Sequence, residues 1–323
     1  MAQMMMEEIA RGVCEGTVDQ TRLRNVLVEM GDRGERPEEI LAFLRPFQMA
    51  AVPLPTKHEV VLDMCGTGGA SFRTFNVSTL ASLVVSAAGV PVAKHGNRSA
   101  NGVCGSADVL RELGVKIDMS PEVASYALDN IGFAFLFAPI YHPAMRNAAQ
   151  VRRDLKRKTV FNILGPLLNP VQARKRHLIG VYDGRLVDII PPVLQGIGVD
   201  RALVVHGSPG MDEVSPLGPT YVAEVLHNGI IKYEITPKDL GLEVPGPADV
   251  AEQPPGRSAE IARSILAGEE GPRSEMVALN AAFGLYAFGA AKDIPTGLDL
   301  ARDVLRSGKA AEKLDHLREI STR

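Results

Sequence analysis

Glycines that lie between a predicted strand and a predicted helix form the first group of residues that could do chemistry. Asp63-Met64-Cys65-Gly66-Thr67-Gly68-Gly69 follows the strand, and Asn76-Val77-Ser78-Thr79 opens the helix. Such a loop lets backbone N–H groups approach a phosphate, and the helix N-terminus adds partial positive charge. The loop matches neither the GxxxxGK[ST] nor the GxGxxG pattern. A structural tight turn, with the hydroxyl and amide side chains as helix caps, remains the alternative.

A second polar group follows the next predicted strand. Lys94-His95-Gly96-Asn97-Arg98-Ser99 lies at the end of that strand, and Gly105-Ser106-Ala107-Asp108 starts a helix shortly afterwards. In open α/β sheets the carboxyl ends of strands border the ligand crevice, so we expect both glycine-containing loops to meet there. Lys94 and Arg98 could then neutralise phosphate charge. A solvated turn, and simple helix capping by Ser106, remain the alternatives.

Three later segments could complete such a site. The run from Val151 to Thr159 contains five basic residues, one of which could face a carboxylate substrate, although a solvated helix end also explains it. Phe161–Pro170 contains Gly-Pro and Asn-Pro steps, which predict a rigid loop able to wall a pocket. The adjacent carboxylates Asp212 and Glu213 suit magnesium, which prefers hard oxygen ligands and often arrives with substrate phosphates.

The elements that must position these groups alternate between strand and helix, which predicts an α/β fold with a mainly parallel sheet. A hairpin around His227-Asn228-Gly229 predicts an added antiparallel ribbon, and residues 1 to about 50 predict helices only. The predicted strands are Val60–Asp63, Pro91–Lys94, Phe133–Phe137, Leu178–Tyr182, Ala202–His206, Tyr221–Val225 and Ile230–Ile235. The predicted helices are Val77–Ala88, Ser106–Leu113, Pro121–Asn130, Arg185–Gly196, Ser274–Ala290 and a tail from Leu298 to about Leu317, with Leu242–Arg257 as an irregular loop.

Composition narrows the class of protein. The chain has 323 residues, 46% of them hydrophobic and 23% charged, which excludes global disorder. The 35 basic and 38 acidic residues give a net charge of −3, which argues against a surface built for nucleic acid or an anionic membrane. The three cysteines are widely spaced and predict neither a zinc site nor a disulfide framework. Glu7 and Glu8 interrupt the N-terminal segment where a signal peptide would be apolar, so we expect a cytoplasmic protein.

Together the motifs resemble one enzyme family. GTGG…NxST, KHGNRS, GSAD, RxLxxxTxFNxLGPLxNP and GMDE occur in the order found in anthranilate phosphoribosyltransferases, from about residue 5 to the C-terminus. The resemblance implies a nucleoside phosphorylase/phosphoribosyltransferase-like fold: a small helical domain, residues 1–57 joined by part of about 142–160, and a larger α/β domain, residues 58–323. It also implies a homodimer formed through the helical domains.

The resemblance further implies the reaction and its residues. The family transfers the phosphoribosyl group of phosphoribosyl diphosphate to the anthranilate amine with magnesium, the second step of tryptophan biosynthesis, and catalysis would be electrostatic, through Lys94 and Mg2+. Phosphoribosyl diphosphate would contact Gly66, Gly69, Thr74, Asn76, Ser78, Thr79, Lys94 and Ser106. Anthranilate would contact Gly66, His95, Asn97, Arg152, Gly165 and Pro166, and magnesium would be held by Ser78, Asp212 and Glu213.

Two departures from the family pattern predict altered substrate or magnesium binding. Ala70 stands where the family usually has Asp after GTGG, and Asn101-Gly102-Val103-Cys104 replaces a Ser-Ser-Lys-Ser run. Two alternatives stay open beside the transferase. One is a nucleic-acid-binding relative without transferase activity, which the basic run Arg152–Lys158 favours. The other is a nucleoside phosphorylase of related architecture.

Overall fold

The computed structural model describes residues 2–99 and 103–323, and its central feature is one mixed sheet. The strands are β1 Val60–Gly66, β2 Val92–Gly96, β3 Phe133–Phe137, β4 Arg174–Gly180, β5 Ala202–Gly207, β6 Thr220–Leu226 and β7 Gly229–Ile235. Their order across the sheet is β3-β2-β1-β4-β5-β6-β7. The first five strands pair in parallel, and β6 and β7 add an antiparallel ribbon. The predicted fold class is therefore confirmed.

Amphipathic helices form the N-terminal layer: α1 Ala2–Glu15, α2 Gln20–Arg33 and α3 Pro37–Met49. The start of α2 is capped by the Asp19 carboxylate, which accepts a hydrogen bond from Arg22 N at 2.7 Å. Proline at the first position starts α3, as predicted. The buried faces of these helices share one apolar core with residues between 148 and 168 and with one face of β4 and β5. The division of the chain near residue 57 stays a prediction.

The remaining helices cover the sheet and frame its carboxyl edge. They are α4 Val77–Ala87, α5 Ser106–Glu112, α6 Pro121–Ile131, α7 Ala138–Tyr141, α8 Ala149–Leu155, α9 Val160–Leu164, α10 Leu186–Gly196, α11 Pro247–Val250, α12 Pro255–Leu266, α13 Pro272–Phe288, α14 Ile294–Arg306 and α15 Lys309–Ser321, with 3-10 turns at Pro143–Ala148, Gly165–Leu167 and Pro237–Leu240. The predicted buried helix corresponds to α13, which packs against α4 and α14. No helix within the described ranges is long and apolar enough to cross a membrane.

The structure corrects two predictions in the C-terminal part of the chain. Leu242–Arg257 is not irregular throughout, because it contains α11 and the start of α12. Two of the four prolines that suggested a loop, Pro247 and Pro255, occupy the first positions of these helices, where a missing N–H costs nothing. The predicted helical tail is two helices, since Gly308 has a φ of 75° and ends the run between α14 and α15.

Two further boundaries near the site differ from prediction. The strand predicted at Leu178–Tyr182 is β4, which begins at Arg174 because its basic residues pair with β1 from Val60 onward. Charged residues at the strand start hide it from a search for apolar runs. The predicted rigid loop Phe161–Pro170 starts inside α9 and continues through the 3-10 turn that begins at Gly165.

Candidate active site

One crevice lies at the carboxyl end of the parallel strands, where the loops after β1, β2 and β5 meet. It lies where strand order reverses about β1, whose neighbours are β2 and β4, and such points are the usual ligand sites of open α/β sheets. Its volume is about 360 Å3. Every residue assigned by motif lines it: Gly66, Gly69, Thr74, Asn76, Ser78, Thr79, Lys94, His95, Asn97, Ser106, Arg152, Gly165, Pro166, Asp212 and Glu213.

The glycine loop after β1 lies directly against the acidic segment. A Cβ on Gly66 would lie 2.5 Å from Asp212 Oδ2, so only glycine fits there. Gly68 N donates to Asp212 Oδ2 at 2.8 Å, and Gly68 and Gly69 both have positive φ, of 68° and 77°. Glycine at these positions therefore brings the backbone close enough to the acidic segment to share a ligand with it.

Asp212 and Glu213 are two adjacent, half-buried carboxylates on the wall of the crevice. Desolvation raises the pKa of Asp212, and it raises the pKa of Glu213 to about 8, with the neighbouring Asp212 charge as the second cause. Thr74 Oγ1 donates to Glu213 Oε2 at 2.5 Å and offsets part of that rise. A bound cation would stabilise the charged forms of these two carboxylates, because it would offset their mutual repulsion.

The donor set fits magnesium in number and kind. Among residues 2–99 and 103–323, no group of three or more His, Cys, Asp and Glu side chains could form a complete metal cage. Asp212 and Glu213 instead supply two hard oxygens, and Ser78 borders the same recess. Magnesium commonly takes one or two carboxylates and completes its shell with water and substrate phosphate. The protein groups therefore suit an ion that is held jointly with a phosphorylated ligand.

Lys94 is the most deeply buried cation of the crevice, at 2% exposure. Its Nζ donates to Met64 O at 2.6 Å and to Ser78 Oγ at 3.3 Å. Burial lowers its pKa, while the Cys65, Asp63 and acidic-pair groups oppose that shift. These contacts fix the ammonium group beside the start of α4, where it can face anionic oxygen.

His95 closes the other end of the crevice as a neutral ring. Its Nδ1 donates to Gly165 O at 3.0 Å, and the ring stacks edge-on against His142 with centroids 5.1 Å apart. Burial lowers the pKa of His95 to about 3, so the ring carries no charge at neutral pH. Nearby, Asn97 O accepts from Ser106 Oγ at 3.1 Å, which joins the two predicted substrate regions.

The basic run divides into two groups in the structure. Arg152 lies on α8 with its guanidinium 5.2 Å from the Phe161 ring centroid, and burial lowers its pKa. No carboxylate of the described chain lies within 4 Å of it, so it can pair with an acidic ligand. Arg157 instead binds Asp32 at 2.6 Å, and Arg153 donates to Gln150. The solvated-helix explanation therefore fits Arg153, whereas Arg157 lies beyond the end of α8 and pairs with Asp32 on α2.

Lys158 and Glu252 line the crevice but were not among the residues assigned to a substrate. Lys158 stacks on Tyr182, with Nζ 3.6 Å from the ring centroid, and its Cε would lie 3.0 Å from a Cβ on Gly69. Glu252 reaches the crevice from the segment predicted to be irregular. Lys158 could have been found as the residue of the basic run nearest to Phe161. Glu252 could not be found from any local pattern, because its contacts are far away in the chain.

The two departures also fall beside the crevice. Ala70 lines it and is 6% exposed, so the loop offers a methyl group where the family usually has a carboxylate. Cys104 lines it as well, with its backbone O accepting from Asn76 Nδ2 at 3.0 Å. Asn101 and Gly102 lie outside the described residues. At residue 70 the wall of the crevice is therefore less charged than the family pattern implies.

Comparison with known proteins gives one consistent family. Residues 58–311 match the model of the glycosyl transferase family, a/b domain. The anthranilate phosphoribosyltransferase of Persephonella marina is 44% identical over 98% of this chain and 94% of its own, and that of Moorella thermoacetica is 45% identical over 94% and 89%. The crystal structure of the Thermus thermophilus enzyme superposes with a TM-score of 0.93 at 41% identity, covering 99% of this chain and 96% of that one.

A more distant solved relative has its ligands in place. The Saccharomyces cerevisiae enzyme in complex with PRPP, or phosphoribosyl diphosphate, and Mg is 27% identical with a TM-score of 0.86, covering 94% of this chain and 85% of that one. The comparisons confirm the resemblance, the fold and the transferase activity predicted from the motifs. The chain belongs to the anthranilate phosphoribosyltransferase family.

Proposed function

We propose that the crevice binds phosphoribosyl diphosphate and anthranilate together and is the site of phosphoribosyl transfer. The observation that carries this proposal is the convergence on one cavity of every residue assigned by motif, from segments spread between residues 66 and 213. The yeast relative binds PRPP and Mg in one structure and 4-fluoroanthranilate in another, which supports two substrates of this kind. The products would be N-(5-phosphoribosyl)anthranilate and diphosphate.

The phosphoribosyl diphosphate side is formed by the loops after β1 and β2. Backbone N–H groups of the glycine loop, the ammonium of Lys94 and the hydroxyl of Ser106 would bind the phosphates by charge-assisted hydrogen bonds. The remaining contacts assigned to this substrate are Gly66, Gly69, Thr74, Asn76, Ser78 and Thr79. These donors act where negative charge grows on the leaving diphosphate, so they stabilise the transition state more than the ground state.

Magnesium would be held by Asp212, Glu213 and Ser78 together with substrate oxygens. When bound, the ion supplies positive charge that offsets the charge of the leaving diphosphate. The chain's contribution is to fix two carboxylates next to the glycine loop through the Gly68 N and Thr74 Oγ1 hydrogen bonds. The raised pKa of Glu213 means that binding the ion removes a proton from this pair at neutral pH.

The anthranilate side lies at the other end of the crevice. Arg152 would pair with the substrate carboxylate, and Asn97 would hydrogen bond to it or to its amine. His95, Gly165 and Pro166 would enclose the ring, with Gly66 at the boundary between the substrates. Neutral His95 avoids placing a second charge beside an apolar ring.

The reaction needs no strong side-chain base. The aromatic amine already has a lone pair, which attacks the ribose C1 as the C1–O bond to diphosphate breaks and its electron pair leaves with the diphosphate. The positive charge that develops on the ribose passes to nitrogen, which then loses its proton to solvent or to the departing diphosphate. Arg152 would hold anthranilate and Lys94 would hold phosphoribosyl diphosphate, so that the amine faces the ribose C1. The chain therefore acts by positioning and electrostatic stabilisation.

The test of this function is the stoichiometry of the products. We expect one diphosphate released for each anthranilate converted, only when both substrates and magnesium are present. Binding of a DNA duplex at low salt is the control for the nucleic-acid-binding alternative, and phosphorolysis of thymidine is the control for the phosphorylase. Diphosphate release that continues without anthranilate would contradict the proposal, as would tight DNA binding without turnover.

The assembly and the compartment are part of the same proposal. We expect a cytoplasmic homodimer that joins through the helical layer. Met4 on α1 and Met49 on α3 are 77% and 89% exposed, and a contact between two copies through these helices would remove their apolar surface from water. A tryptophan-pathway enzyme acts on soluble intermediates, which fits this compartment.

A further inference from the structure

The Glu252 carboxylate makes contacts of a kind that a phosphate would make. It lies between α11 and α12 on the wall of the crevice, with its side chain 15% exposed. Oε1 accepts hydrogen bonds from Val103 N at 2.7 Å and Cys104 N at 3.2 Å. Oε2 lies 3.8 Å from Arg73 Nη1. One anionic group is thus held by two consecutive backbone N–H groups and a guanidinium.

These donors are the type that proteins use for phosphate oxygens. Consecutive backbone N–H groups form anion-binding concavities, and arginine is the preferred cationic partner of phosphate. They also lie between residues assigned to phosphoribosyl diphosphate, because Asn76 donates to Cys104 O at 3.0 Å and Ser106 follows shortly after Cys104. The chain's own carboxylate therefore occupies a position suited to a substrate phosphate.

Movement of the Glu252 side chain would release the Val103 N and Cys104 N groups from its carboxylate. The backbone is held separately, since Glu252 N donates to Arg73 O at 2.9 Å and Thr74 pairs with Ala251 in an antiparallel bridge. Rotation of the side chain into solvent would vacate the position in front of the Val103 and Cys104 N–H groups, beside the part of the crevice that Cys104 lines. The arrangement is therefore a local exchange of one anion for another.

We propose that Val103 N, Cys104 N and Arg73 form a phosphate-binding position that Glu252 occupies in the free enzyme, and that a phosphate group of the substrate must displace it. This inference rests on the proposed function of the crevice. Displacement costs the contacts of the carboxylate, and the displaced charge still repels the incoming anion. Glu252 therefore lowers the affinity for phosphoribosyl diphosphate and leaves the anthranilate side unchanged.

The test replaces the charge and keeps the shape. In Glu252→Gln the amide oxygen can still accept from the loop, but it competes less well with a phosphate. We expect its KM for phosphoribosyl diphosphate to fall about tenfold, equivalent to about 1.4 kcal/mol, with kcat and the anthranilate KM little changed. Inorganic pyrophosphate should bind tighter by a similar factor in calorimetry. Glu260→Gln is the matched control, because Glu260 pairs with Arg257 on the exposed side of α12.

A second variant separates displacement from loop support. Glu252→Ala should also bind pyrophosphate more tightly than the wild type, provided that thermal unfolding shows a folded protein. Weaker or unchanged binding in both variants would overturn the inference and would mean that Glu252 only holds the loop. Pyrophosphate binding does not depend on turnover. If the variants bind pyrophosphate more tightly but the enzyme has no transferase activity, the inference about Glu252 stands and the proposed function is rejected. If turnover is normal and pyrophosphate binding is unchanged, the proposed function stands and the inference is rejected.

Discussion

At the residue scale, Arg152 and its neighbours differ in what they face, although the sequence shows them as one basic run. Arg152 lies over Phe161 without a carboxylate partner in the described chain, whereas Arg153 hydrogen bonds to Gln150. We expect Arg152→Ala to raise the KM for anthranilate at least about tenfold, because a charge-assisted bond to a carboxylate is worth about 1.5–3 kcal/mol. Steady-state kinetics against each substrate in turn measures this.

The matched control for that prediction is Arg153→Ala, which removes an equal charge from the exposed side of the same helix. It should leave both KM values near those of the wild type. An Arg152→Ala enzyme with an unchanged KM for anthranilate would remove the arginine from the substrate site.

Glu213 should make magnesium binding dependent on pH. Its pKa lies at about 8 without a cation, above the value of a free glutamic acid, so the group is largely protonated at neutral pH. A cation binds the deprotonated form, so affinity should rise as the pH passes upward through that value. Calorimetry in buffers of different ionisation enthalpy should show close to one proton released per ion below it and fewer above it. A magnesium affinity that is flat across this range would contradict the assignment.

The same raised pKa has a consequence for stability. The folded state keeps a proton that the unfolded chain releases near the ordinary glutamic acid pKa. Glu213 therefore costs no stability at low pH and lowers the free energy of unfolding as the pH rises from that value to about 8. Magnesium should reverse this loss.

At the scale of elements, α3 and α9 connect the helical layer to the anthranilate side. Phe43 and Phe47 pack edge-on against Phe161 at 6.1 and 5.8 Å, and Phe161 in turn lies under Arg152. We expect Phe47→Leu to lower the free energy of unfolding by about 1 kcal/mol and to raise the KM for anthranilate, because the support of the arginine loosens. The KM for phosphoribosyl diphosphate should stay the same. Equal changes in both KM values would mean a general loss of folding.

Several elements could be predicted from sequence because their pattern was local. Gly-rich loops that follow apolar runs indicated β1 and β2, and Pro37 indicated the start of α3. The start of β4 was predicted at Leu178 instead of Arg174. The basic residues at its start pair with β1 through the backbone, and a search for apolar runs does not detect them. The start of α12 inside the predicted irregular loop was missed, because proline is found both at the first position of a helix and just after its end.

The candidate site was predictable for a related reason. Motifs at the carboxyl ends of the neighbouring strands β1 and β2 must lie together, so Gly66 and Lys94 could be assigned to one crevice. Asp212 follows β5, which β4 separates from β1, and it was assigned to the crevice through the family resemblance. Glu252 could not, because its partners at Val103 and Arg73 are brought near it only by the packing of α11 and α12. The roles of the lining residues remain proposals.

At the scale of the whole molecule, two large apolar side chains of the helical layer, Met4 and Met49, are exposed. We expect Met49→Glu to shift the protein from dimer towards monomer in sedimentation velocity, because a charge buried in an apolar interface is costly. Val244→Glu is the control and should leave the association unchanged. Val244 is 61% exposed and lies between β7 and α11, outside the helical layer. A wild-type protein that is monomeric at high concentration would contradict the proposed assembly.

The most direct test of phosphoribosyl transfer by this crevice is the loss of anthranilate fluorescence over a magnesium series with phosphoribosyl diphosphate. We expect consumption that requires both substrates and rises with magnesium to a plateau. We also expect a higher magnesium midpoint than in relatives that carry Asp at the position of Ala70. No consumption by folded protein at any magnesium concentration would contradict the proposed transfer, because the crevice would then hold these residues without joining the two substrates.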